Sequence, residues 1–325
     1  MTDYRSVEIE IQAEDEGIRL DVFLAGRYRK LSRRQWQDRI NQGLVKVNSK
    51  EAKPSTRIRA LERVTFQFIK LPEPPVETGY SVEFEDEWLL IINKPARLPV
   101  HPAGRYKVNT LYHLLQIDYG FSSIRILNRL DRETSGLLMV AKSRESAYAM
   151  QKLQRKKAIE KNYHVLVEGQ VNEPFRAEGF IGLDSASPIE KKLLFIPESR
   201  EGFLNACTDF EPVATGKGIS LLKATLHTGR MHQIRATLNS LGYPVVGDKI
   251  YGIDPLWYLR FIHDELSDDD RKAMRIPRQA LHSFRLAFIH PFTHKKIEIQ
   301  TPCPGNFQIF SNNLFDCVSM RSLDL

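Results

Sequence analysis

Asp131 lies in a short segment, residues 128–136, that concentrates charge between two apolar runs of the chain. Arg129 and Arg132 flank it, and neighbouring cations favour the ionised form of a carboxyl group. An ionised carboxylate in a cleft can act as a nucleophile or as a general base. On this segment alone, a surface aspartate in a salt-bridged turn is an equally weighted alternative.

A second cluster, residues 228–235, carries Arg230, His232 and Arg235. Arg235 falls at helical spacing among apolar residues, namely Ile234, Leu238 and Leu241. A half-buried guanidinium at such a position needs an anionic partner, and Asp131 is the obvious candidate. We therefore expect the two clusters to meet in the fold.

Neither His232 nor the cysteines indicate a metal site. No second ligand follows His232 at helical spacing, so a hydrogen-bonded structural histidine is the preferred interpretation. The three cysteines, Cys207, Cys303 and Cys317, are far apart and form no CxxC pair. They predict core packing rather than a disulfide framework or a zinc site.

Several local patterns place these residues on elements. Residues 137–141 form an apolar run typical of a buried strand, and the small residues at 134–136 predict a tight turn before it. Asp131 is then presented by a loop beside the core. Tyr163, taken alone, is more typical of a strand aromatic that packs in a core.

Charge is concentrated near the N-terminus, although the whole chain of 325 residues has a formal net charge of only +7. Residues 17–70 contain fourteen Lys or Arg and four Asp or Glu, whereas residues 1–16 are acidic and predict a separate N-terminal arm. Such a basic cluster is typical of proteins that bind a polyanion, with nucleic acid as the first candidate. A solvated basic face without a partner is the alternative.

Within the basic segment, Leu20, Phe23 and Leu24 recur at helical spacing, and Ser32 is a plausible N-cap for a second helix. Gly43 can end that helix, and residues 44–48 predict a strand followed by a turn. This order resembles the S4 RNA-binding domain over residues 17–70. The resemblance implies that Arg33, Arg34 and Lys46 face RNA phosphates.

Three prolines at 72, 74 and 75 predict an extended linker over residues 71–79. The remainder, residues 80–325, reads as short β-branched and aromatic runs with a few helices, which predicts an α+β domain. Its insertion at 253–279 contains an acidic run at 268–270 that is typical of a solvated helix cap or loop.

Several ordered motifs after the linker resemble the RluA family of RNA pseudouridine synthases. They are residues 91–95 and 100–102, the 128–142 segment, Lys161 to Tyr163, the 229–235 cluster with Gly247 and Asp248, residues 281–284, and His290 with Pro291. The resemblance implies a mixed, mainly antiparallel sheet flanked by helices. It also implies isomerisation of specific uridines to pseudouridine in structured RNA, without cofactor or metal.

Carried onto this chain, the resemblance makes Asp131 the catalytic aspartate, Tyr163 the residue that packs on the target base, and Arg235 the partner of the aspartate. Arg129 corresponds to an arginine that helps to fill the place of a flipped nucleotide. The other residues expected to contact RNA are Asn128, Arg132, Arg230 and His232. Many family members have histidine where this chain has Asn128; the asparagine form and the residues at 101–106 resemble a tRNA-acting branch.

The expected substrate is therefore tRNA first and ribosomal RNA second. A non-catalytic RNA-binding protein or RNA-folding chaperone is the alternative from another class, and a glycosidase is disfavoured because no second carboxylate stands out beside Asp131. The chain has no phosphate-binding loop, dinucleotide fingerprint or membrane-sized apolar run. Its acidic first residues are unlike a signal peptide, and we expect none. We expect a cytoplasmic, monomeric enzyme without an obligatory protein partner.

Overall fold

The computed structural model describes residues 4–28, 31–69, 73–120, 124–305 and 307, and the chain divides into two compact units, Met1–Pro72 and Glu73–Leu325. Lys70, the first two residues of the expected linker and Cys317 lie outside the described residues. Each unit is considered by itself below.

Within its described residues, the smaller unit has a four-stranded antiparallel sheet and two α-helices. The sheet order is β1-β4-β2-β3. In chain order its elements are β1 (Tyr4–Glu10), a 3-10 turn (Ala13–Asp15), α1 (Leu20–Arg27), α2 (Arg33–Asn41), β2 (Val45–Val47), β3 (Lys50–Glu51) and β4 (Arg63–Ile69).

Local signals set the helices of this unit as the sequence predicts. Leu20, Phe23 and Leu24 are the buried apolar face of α1. The Ser32 hydroxyl accepts from the amide of Gln35, whose side chain accepts from the amide of Ser32 in return, which satisfies two free N–H groups at the start of α2. Gly43 follows the helix with φ +73°, a conformation that glycine adopts without strain.

From Tyr4 onwards, the acidic N-terminal residues belong to the smaller unit and are not a separate arm, contrary to the sequence prediction. Strand β1 pairs with β4 in a register that sets Val7 opposite Phe66 and Ile9 opposite Val64. Ile9 and Ile11 are buried. The acidic residues alternate with apolar ones, so the charge count concealed the two-residue period of a half-buried strand.

The larger unit contains an eleven-stranded sheet and five α-helices in the described residues. In chain order the elements are β5 (Ser81–Glu85), β6 (Leu89–Lys94), α3 (Leu111–Tyr119), β7 (Arg125–Ile126), β8 (Ser135–Ala141), α4 (Arg144–Arg155), β9 (Ile159–Glu168), β10 (Phe175–Leu183), β11 (Leu193–Ile196), β12 (Leu204–Gly216), β13 (Ile219–Leu226), α5 (Gln233–Ser240), α6 (Trp257–Ile262), α7 (Asp268–Ala273), β14 (Leu281–Ile289) and β15 (Lys296–Gln300).

The sheet is mixed and mainly antiparallel, which confirms the predicted α+β class. Its main path is β11-β10-β12-β13-β9-β14-β8-β6-β5, with β15 beside β14 and β7 beside β8. Strands β14 and β8 run parallel, while the other described pairs are antiparallel. Every residue of β8 is buried, as expected for the apolar run at 137–141. Buried Cys207 and Cys303 confirm the core-packing prediction for these two residues.

The expected linker is only partly a spacer. The carboxylate of Glu73 accepts hydrogen bonds from the amides of Val108 and Asn109, at 3.0 and 2.8 Å. Val76 and Tyr80 pack against the core of the larger unit. The chain is therefore fastened to that unit from Glu73 onwards, because its glutamate and apolar residues find partners there.

The turn before β8 lies earlier than predicted. The amide of Thr134 donates to the carbonyl of Asp131 at 3.1 Å, so the turn covers 131–134 and Ser135 already belongs to the strand. Gly136 lies within β8 at φ +108°, where a Cβ atom would stand 2.2 Å from the carbonyl oxygen of Ser283. Only glycine allows β8 to approach β14 so closely.

The insertion at 253–279 contains α6 and α7. Its acidic run forms the first turn of α7, where Ser267 and Asp270 cap each other, as the sequence predicts for a helix cap. The indole of Trp257 also donates to Asp270 at 3.2 Å. None of the helices among the described residues has the length and apolar character needed to cross a membrane.

Candidate active site

Asp131 opens the turn between β7 and β8, and its carboxylate faces two cavities of about 900 and 740 Å³. Nη1 of Arg235 donates to Oδ2 of Asp131 at 2.8 Å, as the buried position of Arg235 led us to expect. The other oxygen, Oδ1, accepts no hydrogen bond from the described residues, and the side chain is 27% exposed. One carboxylate oxygen is thus fixed and the other is open to the cavities.

Arg235 lies in the first turn of α5 and is almost completely buried. Its guanidinium binds a second carboxylate, because Nε and Nη2 donate to Asp248 at 2.6 and 2.8 Å. Asp248 is fully buried and also accepts from the amides of Ile250 and Tyr251. Arg235 therefore bridges one saturated carboxylate and one open carboxylate.

This bridge sets the protonation of both acids. Burial by itself would raise the pKa of Asp131, but the charge of Arg235 and its hydrogen bond hold that pKa below the usual range. The same balance lowers the pKa of Asp248. Asp131 is consequently a carboxylate at neutral pH, as nucleophilic or general-base chemistry requires.

His232 precedes α5 in a left-handed conformation, with φ 54°. The Tyr251 hydroxyl accepts from the amide of Leu193 at 2.9 Å, so its own hydrogen is available to Nδ1 of His232 at 3.0 Å. Nε2 of the ring lies 3.7 Å from Oδ1 of Asp131. Burial and the nearby charge of Arg235 lower the pKa of His232 to about 4, so the ring is neutral.

Tyr163 lies on β9 and lines the 900 Å³ cavity together with Asp131. Only 5% of the residue is exposed. Burial raises the pKa of Tyr163 to about 12, so its phenol stays protonated. The ring can therefore serve as an apolar surface beside the carboxylate.

The remaining cationic candidates of this unit differ in how many hydrogen bonds hold their side chains. Arg129 is exposed on the cavity wall, and its guanidinium has no partner among the described residues. Arg132 donates to the Tyr106 hydroxyl at 2.7 Å and to Glu133 at 3.0 Å. Arg230 donates through Nε to a backbone carbonyl, that of Asn205. Arg129 is therefore the least constrained cation of the set.

Asn128 has a structural contact that the sequence did not reveal. Its Oδ1 accepts from the amide of Met139 at 2.7 Å, which ties the loop to β8. Its Nδ2 is buried without a partner in the described residues. The residue lines the larger cavity, but Nδ2 itself is not exposed to it.

The RNA-contact candidates of the smaller unit lie on α2 and β2. Arg33 donates through Nε to the buried carboxylate of Asp21 at 2.9 Å, which leaves the outer nitrogens of the guanidinium uncommitted. Arg34 and Lys46 are exposed. These three cations are thus available at the surface of that unit.

Several supporting residues escaped the sequence analysis. Gln279 points Nε2 at Oδ2 of Asp131, at 3.5 Å. Lys94 is completely buried and donates to three carbonyls, those of Pro95, Leu98 and Arg132. It thereby fastens the loop that carries Asp131. In the sequence, Gly247 and Asp248 stand out only as part of a motif and carry no assigned role. That motif is the one sequence signal for the second carboxylate.

No group of three or more His, Cys, Asp or Glu residues is arranged for a metal ion within the described ranges. Glu133, the nearest acid in sequence to Asp131, is occupied by Lys249 at 2.9 Å and by Arg132. A pair of free carboxylates, as glycoside hydrolysis requires, is therefore not formed by these two acids.

Comparison with known proteins yields consistent matches for both units. The family described as RNA pseudouridylate synthase matches residues 88–240, and the S4 domain matches residues 18–64. The chain is 30% identical to ribosomal large subunit pseudouridine synthase D of Zymomonas mobilis, over 93% of this chain and 95% of the relative. It is 33% identical to the mitochondrial tRNA pseudouridine(32) synthase of Saccharomyces cerevisiae, over 73% of this chain and 51% of that protein.

A solved structure, human RNA pseudouridylate synthase domain containing 1, shares the fold with a TM-score of 0.54 and 24% identity. The match covers 71% of this chain and 86% of the human chain.

Proposed function

The chain belongs to the RluA family of RNA pseudouridine synthases, and on that premise we propose that Asp131 carries out its reaction on a uridine flipped out of structured RNA. The enzyme isomerises uridine to pseudouridine. In that reaction the bond from C1′ to N1 breaks, a bond from C1′ to C5 forms, and a proton moves from C5 to N1. The balance requires no oxidant, reductant or further reactant.

The observation that carries the proposal is the asymmetry of the Asp131 carboxylate. Arg235 fixes one oxygen at 2.8 Å and keeps the group ionised, while the other oxygen faces a cavity large enough for a nucleotide. A carboxylate in this state can attack as a nucleophile or remove a proton as a base. Arg235 acts through its hold on Asp131.

Base flipping is supported by the chemistry of the cavity wall. A uridine within a helix is stacked, so its glycosidic bond becomes accessible only after the nucleotide turns out. Tyr163 offers an aromatic surface on which the base can pack, and Arg129 is a free cation that can occupy the vacated place. Asn128, Arg132, Arg230 and His232 complete the proposed contact set.

The proposed RNA class is tRNA, with ribosomal RNA as the second candidate. The Asn128 form of the motif and the residues at 101–106 support tRNA, as does the similarity to the yeast tRNA pseudouridine(32) synthase. The relative named for the large ribosomal subunit matches nearly the whole chain, including the basic N-terminal unit, and supports ribosomal RNA. Arg33, Arg34 and Lys46 are the proposed phosphate contacts of that unit.

A non-catalytic RNA-binding role on the same scaffold predicts that the open carboxylate is dispensable. The test is to map pseudouridine in total RNA from cells with and without the gene, and to restore the missing site in vitro with wild type and with Asp131→Asn. We expect one discrete position to return only with wild type, while Asp131→Asn loses turnover roughly a thousandfold or more and still binds RNA. Turnover by Asp131→Asn would refute the role of Asp131, and identical maps would favour the non-catalytic role.

A further inference from the structure

Lys161 lies on β9 two residues before Tyr163 and lines the same 900 Å³ cavity. Because side chains two apart on a strand point to the same face, Lys161 and Tyr163 stand about 6.6 Å apart along β9 on one wall. The sequence motif that contains both residues had supplied a role for Tyr163 only.

The ammonium of Lys161 has no hydrogen-bond acceptor and no carboxylate partner among the described residues. The nearest acid in sequence, Glu160, is paired with Arg285 at 2.6 Å, and Asp131 is paired with Arg235 through Oδ2 and forms no ion pair with Lys161. Burial lowers the pKa of Lys161, and no neighbouring charge offsets that effect. Lys161 is thus a half-buried cation without a charge partner among the described residues.

Two lysines of the same unit that are more deeply buried than Lys161, Lys94 and Lys249, both have partners within the protein. Lys94 donates to three backbone carbonyls, and Lys249 binds Glu133 at 2.9 Å. Buried cations of this kind are paired because an unpaired one destabilises the folded chain. The exception at Lys161 therefore indicates a partner that arrives with the ligand.

The surroundings of Lys161 specify the charge of that partner. The cavity lining carries more cations than acids, so the wall favours an anion. Besides Lys161, the charged residues of the lining are the cations Lys157, Arg230, Arg129 and Lys296 and the acids Asp131 and Glu160. The separation of Lys161 from Tyr163 is comparable with that between the base and the backbone phosphate of one nucleotide. A phosphodiester can thus reach the ammonium when a base packs on the tyrosine.

We propose that Lys161 binds the backbone phosphate adjoining the nucleotide whose base packs on Tyr163. This inference rests on the proposed function, since it takes the ligand of the cavity to be RNA. The phosphate supplies the negative charge that Lys161 lacks in the free protein, and this contact holds the RNA strand beside Asp131. Lys161 is accordingly a binding residue that selects nucleotides within a chain over the free nucleoside.

The first experiment compares turnover of Lys161→Met, Lys161→Arg, wild type and Lys152→Met on total RNA from cells that lack the gene. Lys152 is the matched control, because it is an exposed lysine on α4 outside the cavity. We expect Lys161→Met to raise KM roughly tenfold with a smaller change in kcat, Lys161→Arg to recover most of the loss, and Lys152→Met to match wild type.

The salt dependence of kcat/KM separates a phosphate contact from a packing role. Loss of one phosphate contact lowers the slope of log kcat/KM against log salt concentration by about 0.7 to 0.9. Lys161→Met with an unchanged slope, or with the KM of wild type, would overturn the proposal. Thermal unfolding of each variant shows whether a loss of activity reflects loss of the fold.

A second experiment does not depend on turnover. The side-chain resonances of labelled Lys161 are followed by NMR while uridine 5′-monophosphate, uridine 3′-monophosphate or uridine is added. We expect a nucleotide to raise the pKa of the ammonium and uridine to leave it unchanged. Equal responses to uridine and both nucleotides would refute the phosphate site even where turnover is normal, whereas absent turnover with a nucleotide-specific response would refute only the proposed reaction.

Discussion

Asp21 of the smaller unit and Asp131 of the larger unit are both aspartates held by arginine, yet their surroundings differ. Asp21 is completely buried and accepts from Arg19, Arg33 and Gln37 through both oxygens. Burial by itself would raise the pKa of Asp21, and the hydrogen bonds from these donors lower it well below its usual range. Both oxygens of that carboxylate are therefore occupied by hydrogen bonds within the protein.

Asp131 receives one short hydrogen bond, and its second oxygen faces a cavity. The arginine that holds it is itself fixed by a different acid, Asp248, so its position does not depend on Asp131. The comparison teaches that ionisation is common to structural and reactive carboxylates. Access of one oxygen to a ligand distinguishes the reactive one, while Asp21 serves to orient Arg19 and Arg33.

Among the substitutions, the largest effect on stability is expected from Arg235→Met, which removes the cation shared by the buried Asp248 and the partly exposed Asp131. We expect the larger unit to lose about 3 to 5 kcal/mol of unfolding free energy, since both carboxylates lose their compensation. Turnover should fall as well. Thermal and denaturant unfolding measure the first effect, and pseudouridine formation measures the second.

Arg230→Met is the control for stability, because Arg230 is an exposed arginine five positions earlier. It should leave the unfolding free energy within about 0.5 kcal/mol of wild type. A similar loss in both variants would contradict the claim that Arg235 is special through its two acids.

Acidification should destabilise the larger unit more than the smaller one, since all nine histidines lie at or beyond residue 101. Burial lowers the pKa of His164 and His232 to about 4 and that of His282 to about 3, below the ordinary value of 6.5. Their contribution to stability is complete above pH 6.5 and is lost as the pH falls through the folded values. Between its folded pKa and pH 6.5, each histidine should lower the unfolding free energy of the larger unit by about 1.4 kcal/mol for each pH unit of acidification.

Hydrogen exchange of peptides from each unit between pH 7 and 4.5 measures this difference. The smaller unit should change little, because the ordinary pKa of Asp21, 3.8, lies below this range. His282→Gln should reduce the acid slope of the larger unit, while exposed His263→Gln should not. Equal slopes in the two units would contradict the role of the buried histidines.

The smallest effect is expected from Asp21→Asn. We expect the smaller unit to lose about 1 to 3 kcal/mol, because hydrogen bonds to charged partners are weakened while Arg19 and Arg33 remain partly solvated. RNA binding should weaken as Arg33 loses its orientation, and kcat at saturating RNA should stay unchanged. Titration of total RNA and measurement of kcat test both statements.

Asp38→Asn is the matched control, since Asp38 is exposed on α2 of the same unit. It should leave RNA binding and stability close to wild type. If Asp21→Asn lowered kcat as strongly as Asp131→Asn, the distinction between a structural and a reactive carboxylate would fail.

Local patterns in the sequence predicted much of the fold and part of the site. The apolar spacing of α1, the Ser32 cap and the buried run of β8 were read correctly, because each depends on residues close together in the chain. The strand β1 was missed, since its acidic residues suggested an arm and its partner β4 lies more than fifty residues away. The turn at Asp131 was placed too late because small residues mark two adjacent features there, the turn and the close approach at Gly136.

The sequence by itself determined that Arg235 would be buried and would need a carboxylate partner, because helical periodicity encodes burial. Only the tertiary structure decided that two acids share Arg235, that the Tyr251 hydroxyl forms a hydrogen bond with His232, and that Lys161 has no partner among the described residues. These contacts join residues from separate strands and loops. These contacts depend on which strands and loops the fold brings together. No local pattern of residues encodes that arrangement.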